Sequence, residues 1–138
     1  MKVLIIEDEQ HNFNRLKKLL LSYDATMLVE GLLETIDETR DRLHRHQCAE
    51  ALDVVFADIR LADGLCFDAL SELSLSSMLV FTTAYDEYAL QAFRNNGIAY
   101  LLKPVDDEEL RATLNRIRDL RTTNTQLQSV LAMMQQSS

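Results

Sequence analysis

Four apolar runs, each closed by a reactive polar side chain, constrain this chain more than any other feature. They are VLIIED (Glu7, Asp8), VVFAD (Asp58), LVFTT (Thr83) and AYLLKP (Lys103, followed by the single proline, Pro104). Each run is aliphatic or β-branched and about five residues long, which suits a strand buried on both faces of a parallel sheet. Predicted strands cover residues 2–6, 26–29, 53–57, 78–82 and 98–102. Between them lie helical patterns. The first opens at Asp8 to Gln10 and carries Phe13, Leu16, Leu19 and Leu20 at core-facing spacing. The second runs from Thr35 to about His46, charged and thin on its core side (Ile36, Leu43), so it should be largely solvated. A loop over residues 59–64 leads to a third helix with Leu65, Phe67, Leu70 and Leu73. A fourth covers residues 86–95 and stops at Asn95-Asn96-Gly97. The last begins at residues 105–109 with acids in its first turn, where the helix dipole favours them. Five β-α repeats predict an α/β fold with a doubly wound, five-stranded, all-parallel sheet and right-handed crossovers.

Size and charge narrow the function. The 138 residues, 47% hydrophobic, suffice for one domain with a buried core. A formal charge of −8 excludes direct nucleic-acid binding, which needs a basic stripe. There is no apolar run of membrane-spanning length, and MKVLIIED turns acidic too early for a signal peptide. Cys48 and Cys66 then read as reduced thiols, and the expected location is the cytoplasm.

If the strands are parallel and adjacent, their C-terminal ends share one rim, where open α/β sheets bind ligands. Carboxylates, a hydroxyl and an amine converge there, which suits a hard divalent cation and a phosphoryl group. Asp58 is the candidate nucleophile, since a strand-end carboxylate can attack phosphorus and form an acyl phosphate. Two anions repel, so the reaction needs positive charge. Asp8 and Asp58 can jointly hold Mg²⁺, which takes octahedral oxygen ligands and keeps several waters. Glu7, with its longer arm, would act through a bound water, and the backbone carbonyl of Arg60 is a further candidate ligand. Lys103 suits a phosphoryl oxygen as a compact charge, Thr83 can donate its hydroxyl to another, and Ala84 leaves room for the group. Catalysis of this kind is positioning and charge neutralisation rather than acid–base work.

Over about Met1 to Leu120 the chain resembles the receiver domains of two-component response regulators. The resemblance rests on IIEDE, ADIRLADG, FTTAYDEYA and YLLKPV. The wording of these motifs is most similar to receivers whose output is a LytTR-type DNA-binding domain. The resemblance implies a flavodoxin-like sheet with strand order 2-1-3-4-5. It implies that Asp58 takes a phosphoryl group from a phosphohistidine on a sensor histidine kinase. Glu7 and Asp8 would form the acidic Mg²⁺ pocket, while Thr83 and Lys103 would contact the phosphate. Switching would draw Thr83 towards the phosphoryl group and turn Tyr100 inward. The face remodelled is that of the fourth and fifth helices and the fifth strand, the family's usual homodimer surface. The Lys103–Pro104 bond would be cis, as is usual in the family. DNA would be reached only through an output domain that this sequence does not contain.

Two departures from the family pattern are Glu7 for the more usual aspartate and Ala62 where many members have proline. Ala62 should make the loop after Asp58 more mobile. Arg60 and Tyr85 stand two positions beyond Asp58 and Thr83, where bulk can hinder an attacking water; a slowly hydrolysing phosphoaspartate follows. A haloacid-dehalogenase phosphatase would need a second aspartate at the place of Arg60, so turnover on external substrates is not expected. A flavodoxin-like nucleotide binder would need a phosphate loop where this chain has Glu7-Asp8-Glu9. His44, His46 and Cys48 do not share one helix face and are not read as a metal site. Residues 121–138 differ in texture. Ile117, Leu120, Leu127, Leu131 and Met134 fall at alternating three and four spacings, with Asn124 at the intervening position. This tail reads either as a helical extension that aids dimerisation or as a flexible linker towards an output domain.

Overall fold

The structure, a computed structural model, describes residues 1–31, 35–48, 52–61, 64–65, 78–84 and 97–136. Leu65 is in a short strand and not a helix. Residues 66–73 of the helix expected from Leu65, and the helix expected over residues 86–95, lie outside the described residues with Ala62, Cys66 and Tyr85. So do the side chains of Leu43, His44, His46 and Cys48.

Residues Met1–Asp106 form one compact unit. Its elements are β1 (Lys2–Ile6), α1 (Gln10–Tyr23), β2 (Leu28–Glu30), α2 (Ile36–Cys48), β3 (Val54–Asp58), β4 (Arg60–Leu61), β5 (Gly64–Leu65), β6 (Met78–Thr83) and β7 (Gly97–Leu102). The main sheet has the order β2-β1-β3-β6-β7, and every pair in it is parallel. Counted over the main sheet alone, this is the expected 2-1-3-4-5 arrangement. The strand numbering differs because β4 and β5 make a separate antiparallel pair, where only a loop was expected (Arg60↔Leu65, Leu61↔Gly64). Gly64 has φ 151° there, a backbone region that side chains with a Cβ rarely adopt.

Three of the apolar runs become the central strands β1, β3 and β6, where both faces of the sheet are covered, and the fourth becomes the edge strand β7. All five residues of β3 are buried, and so are four of the five in β1. One face gathers Leu4, Ile6, Val55, Ala57, Leu79 and Phe81 into a core with Ile36, Leu52, Ile59 and Leu61, and Tyr100 packs against it half-buried. On α1, Phe13, Leu16 and Leu20 are buried at helical spacing, while Leu19 is only half-buried. In α2, the Thr35 hydroxyl accepts the Glu38 N–H at 3.1 Å as an N-cap. This helix is less solvated than its charge suggests. Ile36, Thr39 and Arg42 are all buried on one face, and Arg42 forms an ion pair with Glu30 at the end of β2.

The second unit contains one helix, α3 (Asp107–Gln136), which has Asp107, Glu108 and Glu109 in its first turn. It runs without a break through Leu120 and Arg121. No helix among the described residues is long and apolar enough to cross a membrane.

Candidate functional site

Register places the reactive side chains. Ile6 pairs with Ala57, so the next residues along, Glu7 and Asp58, leave their strands at the same level. Asp58 pairs with Thr82, Thr82 with Leu101, and Thr83 with Leu102. The β6–β7 ladder shifts register between Leu79 and Val80, whose partners are Gly97 and Ala99. A one-residue shift turns every later side chain to the other face. Downstream of it, Lys103 follows directly on the level of Thr83, and its N–H donates to the Thr83 carbonyl at 2.7 Å.

At this rim the Lys103 ammonium lies 2.7 Å from Glu7 Oε2 and 2.9 Å from Asp58 Oδ2. Backbone donors hold the other carboxylate oxygens. The Arg60 N–H donates to Asp58 Oδ1 at 3.3 Å, and the Glu9 N–H to Glu7 Oε1 at 3.2 Å. Glu7 and Asp58 are nearly inaccessible (3% and 6% exposed), and Asp8 is half-buried beside them. Carboxylate oxygens of Glu7, Asp8 and Asp58 lie within 4.8 Å of one another.

Burial raises the proton affinity of two of these acids. Burial, opposed by the Lys103 hydrogen bond and reinforced by the Asp58 charge, pushes Glu7 up from 4.5 to about 7. Burial likewise raises Asp58, with Lys103 and the Arg60 N–H pulling the other way. For Lys103, burial works against the charge, but hydrogen bonds to Glu7 and Asp58 outweigh it and hold the ammonium above its ordinary range. The surplus of negative charge and the all-oxygen donor set fit a hard divalent ion such as Mg²⁺.

Among residues singled out from sequence, Glu7, Asp8, Asp58 and Lys103 therefore meet in one cluster. Thr83 is 1% exposed at the end of β6, one level beyond Thr82. At Arg60 the observed contact is the N–H on Asp58, and the side chain is exposed. Tyr100 packs half-buried against the core. The Lys103–Pro104 bond is cis. Beside the cluster is an open cleft lined by Glu7, Asn12, Arg15, Leu16, Leu19, Thr82, Lys103, Pro104 and Val105. Sequence reasoning missed Thr82, Asn12 and Arg15. Thr82 could have been found from its place beside Thr83, but Arg15 could not. Its guanidinium donates to the Val105 carbonyl at 2.7 Å across ninety positions of sequence.

Comparison with known proteins agrees with this geometry. Residues 3–115 match the family model described as the response regulator receiver domain. The sensory transduction protein LytT of Bacillus anthracis is 35% identical over 123 residues, 86% of this chain and 47% of that protein. An uncharacterized response regulatory protein of Vibrio cholerae is 37% identical over 121 residues, 85% of this chain and 48% of its own length. The chain thus spans about half the length of these relatives. Among solved structures, the response regulatory domain of mrkE from Klebsiella pneumoniae superposes with TM-score 0.71 and 28% identity, over 91% of this chain and 99% of that one. With the acid cluster, the strand order and these matches in agreement, the chain belongs to the response regulator receiver family of two-component signalling, and its relatives are of the LytT type.

Proposed function

We propose that Asp58 is the phosphoacceptor of a Mg²⁺-dependent phosphorelay. The observation that supports this reading best is the Lys103 ammonium 2.9 Å from a buried, nucleophile-bearing strand end flanked by two further carboxylates. An oxygen of Asp58 attacks phosphorus of a phosphohistidine on a sensor histidine kinase. The P–N bond breaks, its electron pair returns to the imidazole, and the product is an aspartyl phosphate. Glu7, Asp8, Asp58 and the Arg60 carbonyl would hold the ion, with Glu7 acting through water. Bound Mg²⁺ supplies positive charge against the phosphoryl oxygens and the attacking carboxylate.

Lys103 exchanges part of its pairing with Asp58 for a phosphoryl oxygen, and Thr83 donates its hydroxyl to another. That movement, coupled to Tyr100, remodels the face of β7 and favours homodimerisation. The protein promotes its own phosphorylation and dephosphorylation and does not turn over external substrates. Residues 1–120 act as the receiver, and residues 121–138 lead to an output domain, which alone would reach DNA. The setting is the cytoplasm.

The test is intact mass after incubation with acetyl phosphate and Mg²⁺. One adduct of about 80 Da is expected for a single phosphoryl group. It should be absent in Asp58→Asn and with a chelator in place of Mg²⁺. An unmodified wild-type chain, or an adduct that survives Asp58→Asn, contradicts the proposal.

A further inference from the structure

The second half of α3 carries an exposed apolar surface and, beyond Arg121, no charged side chain. Among the described residues, the large hydrophobic side chains left in solvent are Leu28, Leu102 and six on this segment: Leu120, Leu127, Val130, Leu131, Met133 and Met134, from 38% to 68% exposed. Leu110, Leu114 and Ile117, in the first half of the same helix, are fully buried. The seam left open therefore starts at Leu120. Leu127, Val130, Leu131 and Met134 fall at i, i+3, i+4 and i+7, one continuous face of a helix.

A helix of this composition does not hold its shape unaided. Thr122, Thr123 and Thr125 are weak helix formers, and a free helix of this length is marginal in water. Burial of the apolar face against something is what stabilises it.

The pattern of that face points to a second copy of this chain. Leu120, Asn124, Leu127, Leu131 and Met134 keep the 4-3-4-3 spacing of a coiled-coil seam. Asn124 is the only polar residue on it. In a parallel, in-register pair Asn124 meets its own counterpart, whereas an antiparallel pair sets it against an apolar residue. Charge argues the same way. The molecule carries −8, so most like-with-like contacts repel, yet residues 122–138 contain no charged side chain at all. The area also suffices. Leu120, Leu127, Val130, Leu131 and Met134, each about half exposed, offer roughly 500 Å² per copy, or about 1,000 Å² in all, the least a specific interface needs.

We infer that residues 120–136 form a parallel two-stranded coiled coil with a second copy, in register at Asn124 and independent of phosphorylation. This interface is separate from the β7 face invoked above, and it does not rest on Asp58 chemistry.

Sedimentation equilibrium of the full chain without phosphodonor tests the inference. A monomer–dimer equilibrium is expected, and Leu127→Glu with Leu131→Glu should weaken it roughly a hundredfold. A wild-type near-ultraviolet circular dichroism spectrum serves as the control that the receiver remains folded. Orientation is read by cysteine crosslinking in a Cys48→Ser, Cys66→Ser background. Leu131→Cys, on the seam, should form a disulfide-linked dimer, and Ser129→Cys, on the opposite side of the helix, should not. A monomer at all concentrations, a dimer indifferent to the paired Glu substitutions, or equal crosslinking at both positions overturns the inference. None of these results depends on whether Asp58 takes a phosphoryl group.

Discussion

Lys103 sets the protonation of two carboxylates that burial alone would neutralise. In the metal-free protein Glu7 titrates near 7 when folded and near 4.5 when unfolded, so the folded state binds more protons between these values. Its contribution to stability is complete below pH 4.5 and disappears as pH rises through 7. Asp58, also raised, acts in the same direction above its ordinary range. Thermal midpoints measured with chelator should therefore fall across this window, and Glu7→Gln should flatten the fall. An unchanged profile in the variant contradicts the assignment. Lys103→Met removes the ammonium shared by Glu7 and Asp58 and should cost about 3 kcal/mol near pH 8. The loss should be smaller near pH 5, where the acids take up protons instead; urea titrations at the two pH values read the difference. The shielding of Asp58 proposed for Arg60 and Tyr85 predicts that their joint replacement by alanine speeds phosphoaspartate decay severalfold. Decay at the wild-type rate removes that role.

At the scale of elements, what could be read from sequence was what repeats or ends abruptly. The four apolar runs gave four of the five strands of the main sheet because nothing else in the chain packs β-branched residues so densely, and their last residues gave the acid cluster and Lys103. Contacts that connect distant elements were not legible. Arg42 looked like one charge among many in α2, but its partner Glu30 lies across a strand–helix connection, and pairing is what permits its burial. The β4–β5 pair is two residues long on each side, too short to show periodicity. Gly31, just after β2, is another such position. A Cβ there would stand 2.8 Å from the Ile5 carbonyl oxygen and against the Phe13 ring. Gly31→Ala should cost about 2 kcal/mol, because backbone cannot move aside as a flexible side chain can. Arg15→Ala removes the hydrogen bond on the Val105 carbonyl and should cost about 1 kcal/mol. Chemical denaturation of both variants checks these values, and wild-type stability in either refutes the contact assigned to it.

For the whole molecule, the sheet gathers side chains from residues 7, 8, 58 and 103 onto one rim, at the expense of concentrated negative charge. A ligand that binds only the folded state stabilises it by mass action. Mg²⁺ at about ten times its dissociation constant should add about 1.4 kcal/mol. Asp8→Asn should reduce that gain, and a gain unaffected by the substitution would place the ion elsewhere. The central claim is that this rim delivers phosphorus to one carboxylate, and the most direct measurement traps the product. Borohydride reduces an aspartyl phosphate to homoserine, so peptide mass mapping after phosphorylation and reduction should find homoserine at position 58 and nowhere else. Homoserine at another acid, or aspartate intact at 58 under conditions where a kinase has lost its phosphoryl group to this chain, would contradict it.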